Sequence, residues 1–244
     1  MNPSRTLATA GRVLTQIRHD PRTIGLLLIV PSILIGLMAW IFTDTPVFNQ
    51  VGPAMLALFP FTMMFVVTSI STLRERRSGT LERLLTLPIG KLDFILGYTL
   101  AFGLLAIAQA TIAVSFAVWV CGLTIEGSIW LLLAVALADA VLGTTLGLFA
   151  SAFARTEFQV VQFMPAIVFP QVLLCGIILP RDQLPDALHA ISEWLPLSHA
   201  IDALNAVARD DQDAGYVAGK LLIIGAFALG ALILGAVTLR RKSA

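Results

Sequence analysis

Residues 129–153 read IWLLLAVALADAVLGTTLGLFASAF, an apolar run with a single charged side chain, Asp139. A helix of about 20 such residues spans the roughly 30 Å hydrocarbon core of a bilayer. Five more stretches are similarly long and apolar: residues 24–42, 51–73, 94–121, 158–179 and 217–239. The sequence therefore predicts an all-α polytopic membrane protein with six transmembrane helices in a single domain, residues 1–244.

The composition of the whole chain supports this fold class. Its 244 residues are 57% hydrophobic and 13% charged, whereas an average soluble domain is about a quarter charged. The net charge of +1 is uninformative by itself, and no nucleic-acid partner is expected. Cys121 and Cys175 lie in apolar runs without metal-ligand spacing, which favours a packing role. His189, Glu193 and His199 are interpreted as interfacial polar residues, so the sequence predicts no metal site.

The distribution of Lys and Arg predicts the orientation, because cytoplasmic loops hold an excess of both. Of the 16 Lys and Arg residues, only Arg181, Arg209 and Lys220 fall on the side of the membrane opposite the two termini. That side instead collects most of the acidic residues of the loops. Both termini are therefore expected in the cytoplasm.

Residues 4–20, ahead of the first span, have the pattern of an amphipathic helix. The predicted apolar face is Leu7, Ala10, Val13, Leu14 and Ile17, and the predicted polar face is Arg5, Thr9, Arg12, Gln16 and His19. We expect this helix to lie in the cytoplasmic interface, with its cations toward headgroups and water. The alternative is a basic flank that only fixes the topology.

The predicted cytoplasmic loop, residues 74–92, contains a second short amphipathic segment. Gly79 permits a sharp turn, and Pro88 ends the helix that follows it. Leu81, Leu84 and Leu85 share one face of that helix. A helix of two turns is too short to be stable alone in water, so these leucines favour a docking element for a cytoplasmic partner. A plain charged loop is the alternative.

The predicted outer loop, residues 180–216, is the longest between spans. It carries apolar residues at helical spacing in two groups, which are Leu184, Leu188, Ile191 and Leu195, then Ile201, Leu204 and Val207. Pro185 suits the first turn of the first helix and Pro196 stops it. Ser198 is expected to cap the second helix. The pattern predicts two short amphipathic helices in the outer interface.

With these features placed, the chain resembles the ABC-2-type exporter permeases over essentially its whole length. The main match, Glu75-Arg-Arg-Ser-Gly79-Thr80-Leu81-Glu82-Arg-Leu-Leu-Thr-Leu-Pro88, is similar to the family's pattern after the second span. A second match in the outer region comprises Cys175-Gly176, Pro180, Leu184-Pro185 and Leu195-Pro196. There Cys175 stands where serine is usual, and Ser198-His199 replaces Thr-Tyr.

The resemblance implies a half-transporter in a bacterial plasma (inner) membrane, which is not itself an enzyme and has no cofactor of its own. ATP and Mg would be bound by a separate ABC ATP-binding subunit, since this chain has no Gly-x4-Gly-Lys-Ser/Thr loop. A second permease chain, identical or paralogous, would pair with it. The residues expected to couple to the ATPase are Glu75, Gly79, Thr80, Leu81, Glu82, Leu84, Leu85 and Pro88, with Arg5 and Arg12 of the N-terminal helix.

Polar residues inside the spans form a candidate in-membrane site, Asp139 with Gln109 and Gln162. A carboxylate at this depth costs about 2.5–3.5 kcal/mol unless it pairs or is protonated. One interpretation is a site for a substrate cation or a proton. The other, slightly favoured, is a hydrogen bond between helices, for example to Gln109, Gln159 or Gln162.

Small residues recur every fourth position in the same span, at Gly143, Gly147 and Ser151. Such spacing lets two helices approach closely. We therefore expect the fourth span to pack inside its own subunit.

Two other functions compete with that of an ATP-driven exporter. An ion-coupled secondary transporter using Asp139 is the main alternative, although one aspartate and no internal repeat argue against it. An intramembrane enzyme would need a nucleophile beside a base, and no His lies in any predicted span. A drug, a lipid or a lipid-linked molecule would suit the apolar spans about equally as the exported substrate.

Overall fold

A computed structural model of the chain describes residues 3–77 and 91–238, and their regular elements are all helices. The α-helices, in chain order, are α1 (Pro3–Arg18), α2 (Pro21–Ile41), α3 (Val47–Arg77), α4 (Lys91–Ser115), α5 (Ile129–Ser151), α6 (Glu157–Leu174), α7 (Asp186–Glu193), α8 (Pro196–Arg209) and α9 (Ala214–Thr238). A π-helical turn, Phe116–Val120, extends α4, and a 3₁₀ turn, Arg181–Gln183, precedes α7.

Among the residues that the structure describes, six helices are long and apolar enough to cross a membrane, which confirms the predicted fold class. They are Pro21–Ile41, Val47–Arg77, Leu96–Val120, Ile129–Ser151, Glu157–Leu174 and Ala214–Thr238. The second is about one turn longer at each end than the predicted run, residues 51–73. The fifth ends at Leu174 rather than near residue 179, because Gly176 adopts a φ of 92° that interrupts the helix.

Helices α3 and α5 form the centre of the bundle. The backbone of α5 lies directly against α3 at Gly143 and Gly147, so a Cβ atom on Gly147 would stand 2.6 Å from the Phe65 carbonyl oxygen. Gly143 meets the Phe61 carbonyl in the same way. The fourth span therefore packs inside its own subunit, as the spacing of its small residues predicts.

Helix α1 packs on α4, and this contact buries Thr9, which the pattern placed on the polar face. Thr6 and Thr9 are both buried against α4. Leu7, which lies between them in the sequence, is 65% exposed. The reason for the burial of Thr9 is Gly97 of α4, whose missing side chain admits it, since a Cβ there would lie 2.6 Å from the Thr9 Cβ. A position of α1 in the membrane interface stays a prediction.

The two outer helices differ in how they pack. Helix α8 is buried along its length between the spans, with Leu197, Ile201 and Leu204 in the core. Helix α7 leaves Leu188 and Ile191 exposed. The predicted cap of α8 is wrong: the helix begins at Pro196, and the buried hydroxyl of Ser198, two residues inside it, has no hydrogen-bond partner among the described residues.

Candidate functional site

Three helices meet in an ion cluster at the end of the bundle where α3 ends and α4 begins, which we call the inner ion cluster (Arg12, Glu75 and Tyr98). The Nη1 atom of Arg12 in α1 donates to both carboxylate oxygens of Glu75 in α3, at 3.0 and 3.3 Å. Its Nη2 atom donates to the Tyr98 hydroxyl of α4 at 3.0 Å. Glu75 is only 5% exposed. The cluster therefore links α1 to the C-terminal end of α3 and to the N-terminal part of α4.

The local sequence explains why Arg12 reaches this position. The contact of Thr9 with Gly97 brings α1 against α4, and Arg12 and Tyr98 follow these residues in their helices. The two predicted coupling residues Arg12 and Glu75 are thus in contact with each other. The sequence did not predict Tyr98 as part of this site. The one feature that could have indicated it is a polar hydroxyl within an apolar run, directly after a glycine.

A polar crevice of about 80 Å³ lies beside this cluster, between α1, α2 and α3. Asp20 lines it and caps α2, accepting hydrogen bonds from the backbone N–H and the hydroxyl of Thr23 at 3.2 and 2.7 Å. Arg74, which also lines the crevice, makes a bidentate ion pair with Glu157 of α6 at 2.8 and 3.1 Å. The C-terminal end of α3 is therefore bonded to α6 as well as to α1.

The remaining predicted coupling residues are placed as follows. Gly79, Thr80, Leu81, Glu82, Leu84, Leu85 and Pro88 lie outside the described residues. Arg5 lies on α1, two turns before Arg12, and is exposed. Helix α3 is described up to Arg77, and Arg76 donates to the Ser151 carbonyl oxygen of α5 at 2.8 Å. The predicted docking segment therefore follows the C-terminal end of α3 directly in the sequence.

Asp139 lies fully buried in α5, and the structure contradicts its predicted hydrogen bond to a glutamine. Neither carboxylate oxygen has a hydrogen-bond partner within residues 3–77 and 91–238. Gln109 instead donates to the Leu27 carbonyl oxygen of α2 at 3.1 Å. Gln159 accepts from the Arg155 backbone at 2.7 Å, and Gln162 is exposed. The in-membrane polar residues therefore do not form one connected site.

Helix α6 is the least buried of the six spans. Gln162 is exposed there together with Phe158, Val161, Phe169 and Leu173. An amide group that faces hydrocarbon without a hydrogen-bond partner is costly. This face of α6 is therefore better suited to another polypeptide or to water than to lipid alone.

A second ion cluster lies at the opposite end of the bundle, which we call the outer ion cluster (Arg181, Asp202, Lys220 and His199). One carboxylate oxygen of Asp202 accepts from Arg181 at 2.5 Å and from Lys220 at 2.7 Å. Gly176 permits this geometry, because a Cβ there would lie 3.3 Å from the Arg181 side chain and its own φ is 92°. The cluster joins the segment after α6 to α8 and α9.

The prolines predicted for the outer region lie at the boundaries of its short elements. Pro180 precedes the 3₁₀ turn, and Pro185 directly precedes α7. Pro196 is the buried first residue of α8. No group of three His, Cys, Asp or Glu residues suited to a metal ion occurs in the described part of the chain. Instead, the His199 ring contacts the backbone carbonyl of Glu193.

Comparisons with known proteins agree on one family. The sequence model described as "ABC-2 type transporter" matches residues 5–208. The chain is 28% identical over 64% of its length to the protein named ABC transporter G family member 20 from Dictyostelium discoideum, covering 21% of that protein. It is 26% identical over 70% of its length to the probable multidrug ABC transporter permease YbhR of Escherichia coli, covering 46% of it.

The inner membrane transport permease YhhJ of Escherichia coli is a further relative, 27% identical over 64% of this chain and 42% of its own length. The chain thus spans less than half the length of each of these three relatives.

Proposed function

Because the chain belongs to the ABC-2 type transporter family, we propose that it is the membrane-spanning permease subunit of an ATP-driven exporter. It moves an amphipathic substrate, such as a drug, a lipid or a lipid-linked molecule, out of the cytoplasm. A separate ATP-binding subunit binds ATP and Mg²⁺, and this chain contributes the pathway and the mechanical connection to it. The observation that carries the proposal is the inner ion cluster at the base of α3.

The inner ion cluster lies where force from an ATPase would enter the bundle. The docking segment begins directly after α3, and α3 is the helix that packs most extensively in the core. Arg12 and Glu75 connect that helix to α1, and Arg76 connects it to α5. A displacement of the segment would therefore move α1, α3 and α5 together rather than bend one loop.

The proposed orientation places both termini and the docking segment in the cytoplasm of a bacterial cell, with the chain in its inner membrane. The excess of Lys and Arg on that side supports this orientation. In the same orientation the outer ion cluster faces the periplasm or the cell exterior. Relatives named as multidrug and inner membrane transport permeases of Escherichia coli support the same location.

A second permease chain, identical or paralogous, is proposed to pack on the exposed face of α6. Gln162 and the aromatic residues Phe158 and Phe169 supply that face with both a hydrogen-bonding group and apolar area. Pairing there would remove the amide from lipid and place α6 of both chains beside a shared pathway.

The test of the function is to introduce charge into the docking segment. Burying a leucine side chain contributes about 1.5–3 kcal/mol, so Leu81→Asp with Leu84→Asp should abolish either copurification of the ATP-binding subunit or transport. Gly79→Val should act similarly if its turn needs a positive φ. The ATP-binding protein encoded beside this chain would be co-expressed, and tolerance to amphipathic drugs would be measured alongside copurification.

The matched control is Ser78→Asp with Thr86→Asp, which adds the same two charges to the segment and keeps its leucines. This control should insert, assemble and transport normally. Full association and full transport by the Leu81/Leu84 variant at normal membrane levels would overturn the docking proposal.

Ion-coupled transport through Asp139 is the second candidate function. The observation that favours it is a fully buried carboxyl group with no partner among the described residues, in the middle of a span. Intramembrane carboxyl groups of this kind mark proton or cation paths in many transporters. Asp139→Asn distinguishes the two functions, because loss of transport with normal assembly supports the ion-coupled one, and normal transport excludes it.

A further inference from the structure

His199 lies between the two outer helices and the last span, and its two ring nitrogens have different partners. Nε2 is 2.8 Å from the backbone carbonyl oxygen of Glu193, and Nδ1 is 3.4 Å from the Lys220 ammonium. A carbonyl oxygen only accepts hydrogen bonds and an ammonium group only donates them. Both contacts are satisfied by a neutral imidazole that carries its proton on Nε2 and a lone pair on Nδ1.

Lys220 also belongs to the outer ion cluster, in which two cations share one carboxylate. Lys220 of α9 and Arg181 both donate to one oxygen of Asp202, and the three side chains are only 15–20% exposed. Arg181 also donates through Nε to the Ser192 hydroxyl of α7 at 3.0 Å. The cluster therefore connects α7, α8 and α9, and it holds two cations against one carboxylate.

The charged groups around the His199 imidazole come from three different elements. Helix α9 contributes Lys220, helix α8 contributes Asp202, and the segment after α6 contributes Arg181. The Tyr216 ring lies 5.1 Å from the Lys220 ammonium, and the buried Cys175 thiol lies within reach of the charges of Arg181 and Asp202. Helices α3 and α5, which also pack on α8, have their ionisable residues at the cytoplasmic end of α3 and at Asp139 in α5.

We propose that His199 is a proton sensor, which stabilises the packing of α7 and α8 on α9 while neutral and weakens that packing when protonated. A proton on Nδ1 would remove the acceptor of the Lys220 hydrogen bond. It would also place two cations 3.4 Å apart, beside a carboxylate that Arg181 already neutralises. This proposal does not depend on which substrate the protein moves or on what drives transport.

The direction of the effect follows from the environment of the ring. Burial is the largest influence and lowers the pKa of His199; the hydrogen bond to Glu193 opposes it, and the charge of Lys220 adds to it. In a loosened state the ring would titrate near about 6.5, the value of a solvated histidine. The packed state is therefore favoured above that pH and is lost as the pH falls through the lower pKa. Between the two values the packing equilibrium falls about tenfold per pH unit.

The experiment measures the distance between α7 and α9 in the full chain reconstituted in nanodiscs. Spin labels at Ala190→Cys and Ala214→Cys, both exposed positions, would be attached at pH 8.0 in a Cys121→Ser background, where the native Cys175 is buried. Dilution with unlabelled chain removes distances between subunits. We expect the ratio of loosened to packed molecules to rise between pH 8.0 and 5.0, by up to about 30-fold, the limit for a ring that stays unprotonated in the packed state.

His199→Gln should abolish this response, because its amide can donate to Glu193 and accept from Lys220 but does not titrate. His189→Gln, at the other outer histidine, is the matched control and should respond like the unmutated chain. If His199→Gln does not fold, Lys220→Met replaces it and should weaken the response, because it removes the repulsion between the two cations but leaves the burial of the ring. An unmutated chain that shows no pH response, or a His199→Gln or Lys220→Met variant that responds normally, overturns the proposal.

Discussion

The two ion clusters at opposite ends of the bundle use the same kinds of side chain in different proportions. In the inner ion cluster one terminal nitrogen of the Arg12 guanidinium donates to both oxygens of Glu75, and the other terminal nitrogen donates to Tyr98. In the outer ion cluster two cations share a single carboxylate oxygen, and a neutral histidine accepts from one of them. The outer ion cluster therefore holds a neutral histidine beside an ammonium group, so that one added proton would change its charge.

This difference has a physical basis in burial and charge. Hydrogen bonds between a guanidinium and a carboxylate are stronger than those between neutral groups, and the bonds of Arg12 hold α1 to α3 and α4. A set with an excess cation depends on the histidine staying neutral. We therefore expect the inner cluster to matter most for the stability of the bundle and the outer cluster to matter most for its response to conditions.

The largest expected effect comes from removing the cation of the inner ion cluster. Arg12→Met leaves the nearly buried Glu75 without its guanidinium, which costs about 3 kcal/mol, the lower end for a broken buried pair because Arg12 is partly exposed. The midpoint of thermal unfolding in detergent measures the loss. The double variant Arg12→Met with Glu75→Leu should recover at least half of it, and equal losses in the two variants would contradict a pair interaction.

A smaller effect is expected from the matching change in the outer ion cluster. Lys220→Met leaves the Arg181–Asp202 pair intact, so it should cost less than Arg12→Met, about 1 kcal/mol. Asp202→Asn should cost more than Lys220→Met, because it leaves two partly buried cations facing each other. Salt should reduce that second loss by screening the repulsion. Thermal unfolding at low and high ionic strength tests both statements, and a larger loss for Lys220→Met than for Asp202→Asn would refute the proposed charge imbalance.

The smallest effect is expected at the exposed ion pair that lies near the inner ion cluster. Arg74 and Glu157 are 57% and 46% exposed, and exposed pairs contribute about 0–1 kcal/mol. Arg74→Gln should therefore change the unfolding midpoint little, and the remaining change should vanish in high salt. The exchanged variant Arg74→Glu with Glu157→Arg serves as control. A loss as large as that of Arg12→Met would show that burial does not set the ranking.

Local properties of the sequence determined the six spans, the close helix pair and the family. Length and apolar composition are sufficient to predict a membrane helix, because a single segment in lipid can satisfy all its backbone hydrogen bonds only as a helix. Gly143 and Gly147 marked the contact of α5 with its neighbour because their four-residue spacing puts both on one helix face. The matching motifs around Gly79 and Gly176 identified the family, which the comparisons confirm.

The tertiary structure decided which polar residues meet. Arg12 and Glu75 lie 63 positions apart, and Arg12 and Tyr98 lie 86 apart, so helical spacing holds no information on either contact. The same limit explains two errors: Thr9 is buried because Gly97 of another helix admits it, and Asp139 lacks the predicted glutamine partner. The outer ion cluster likewise assembles only when α8 is buried beside α9. A sequence records which side chains can pair, and only the packed helices determine which of them come within 3 Å.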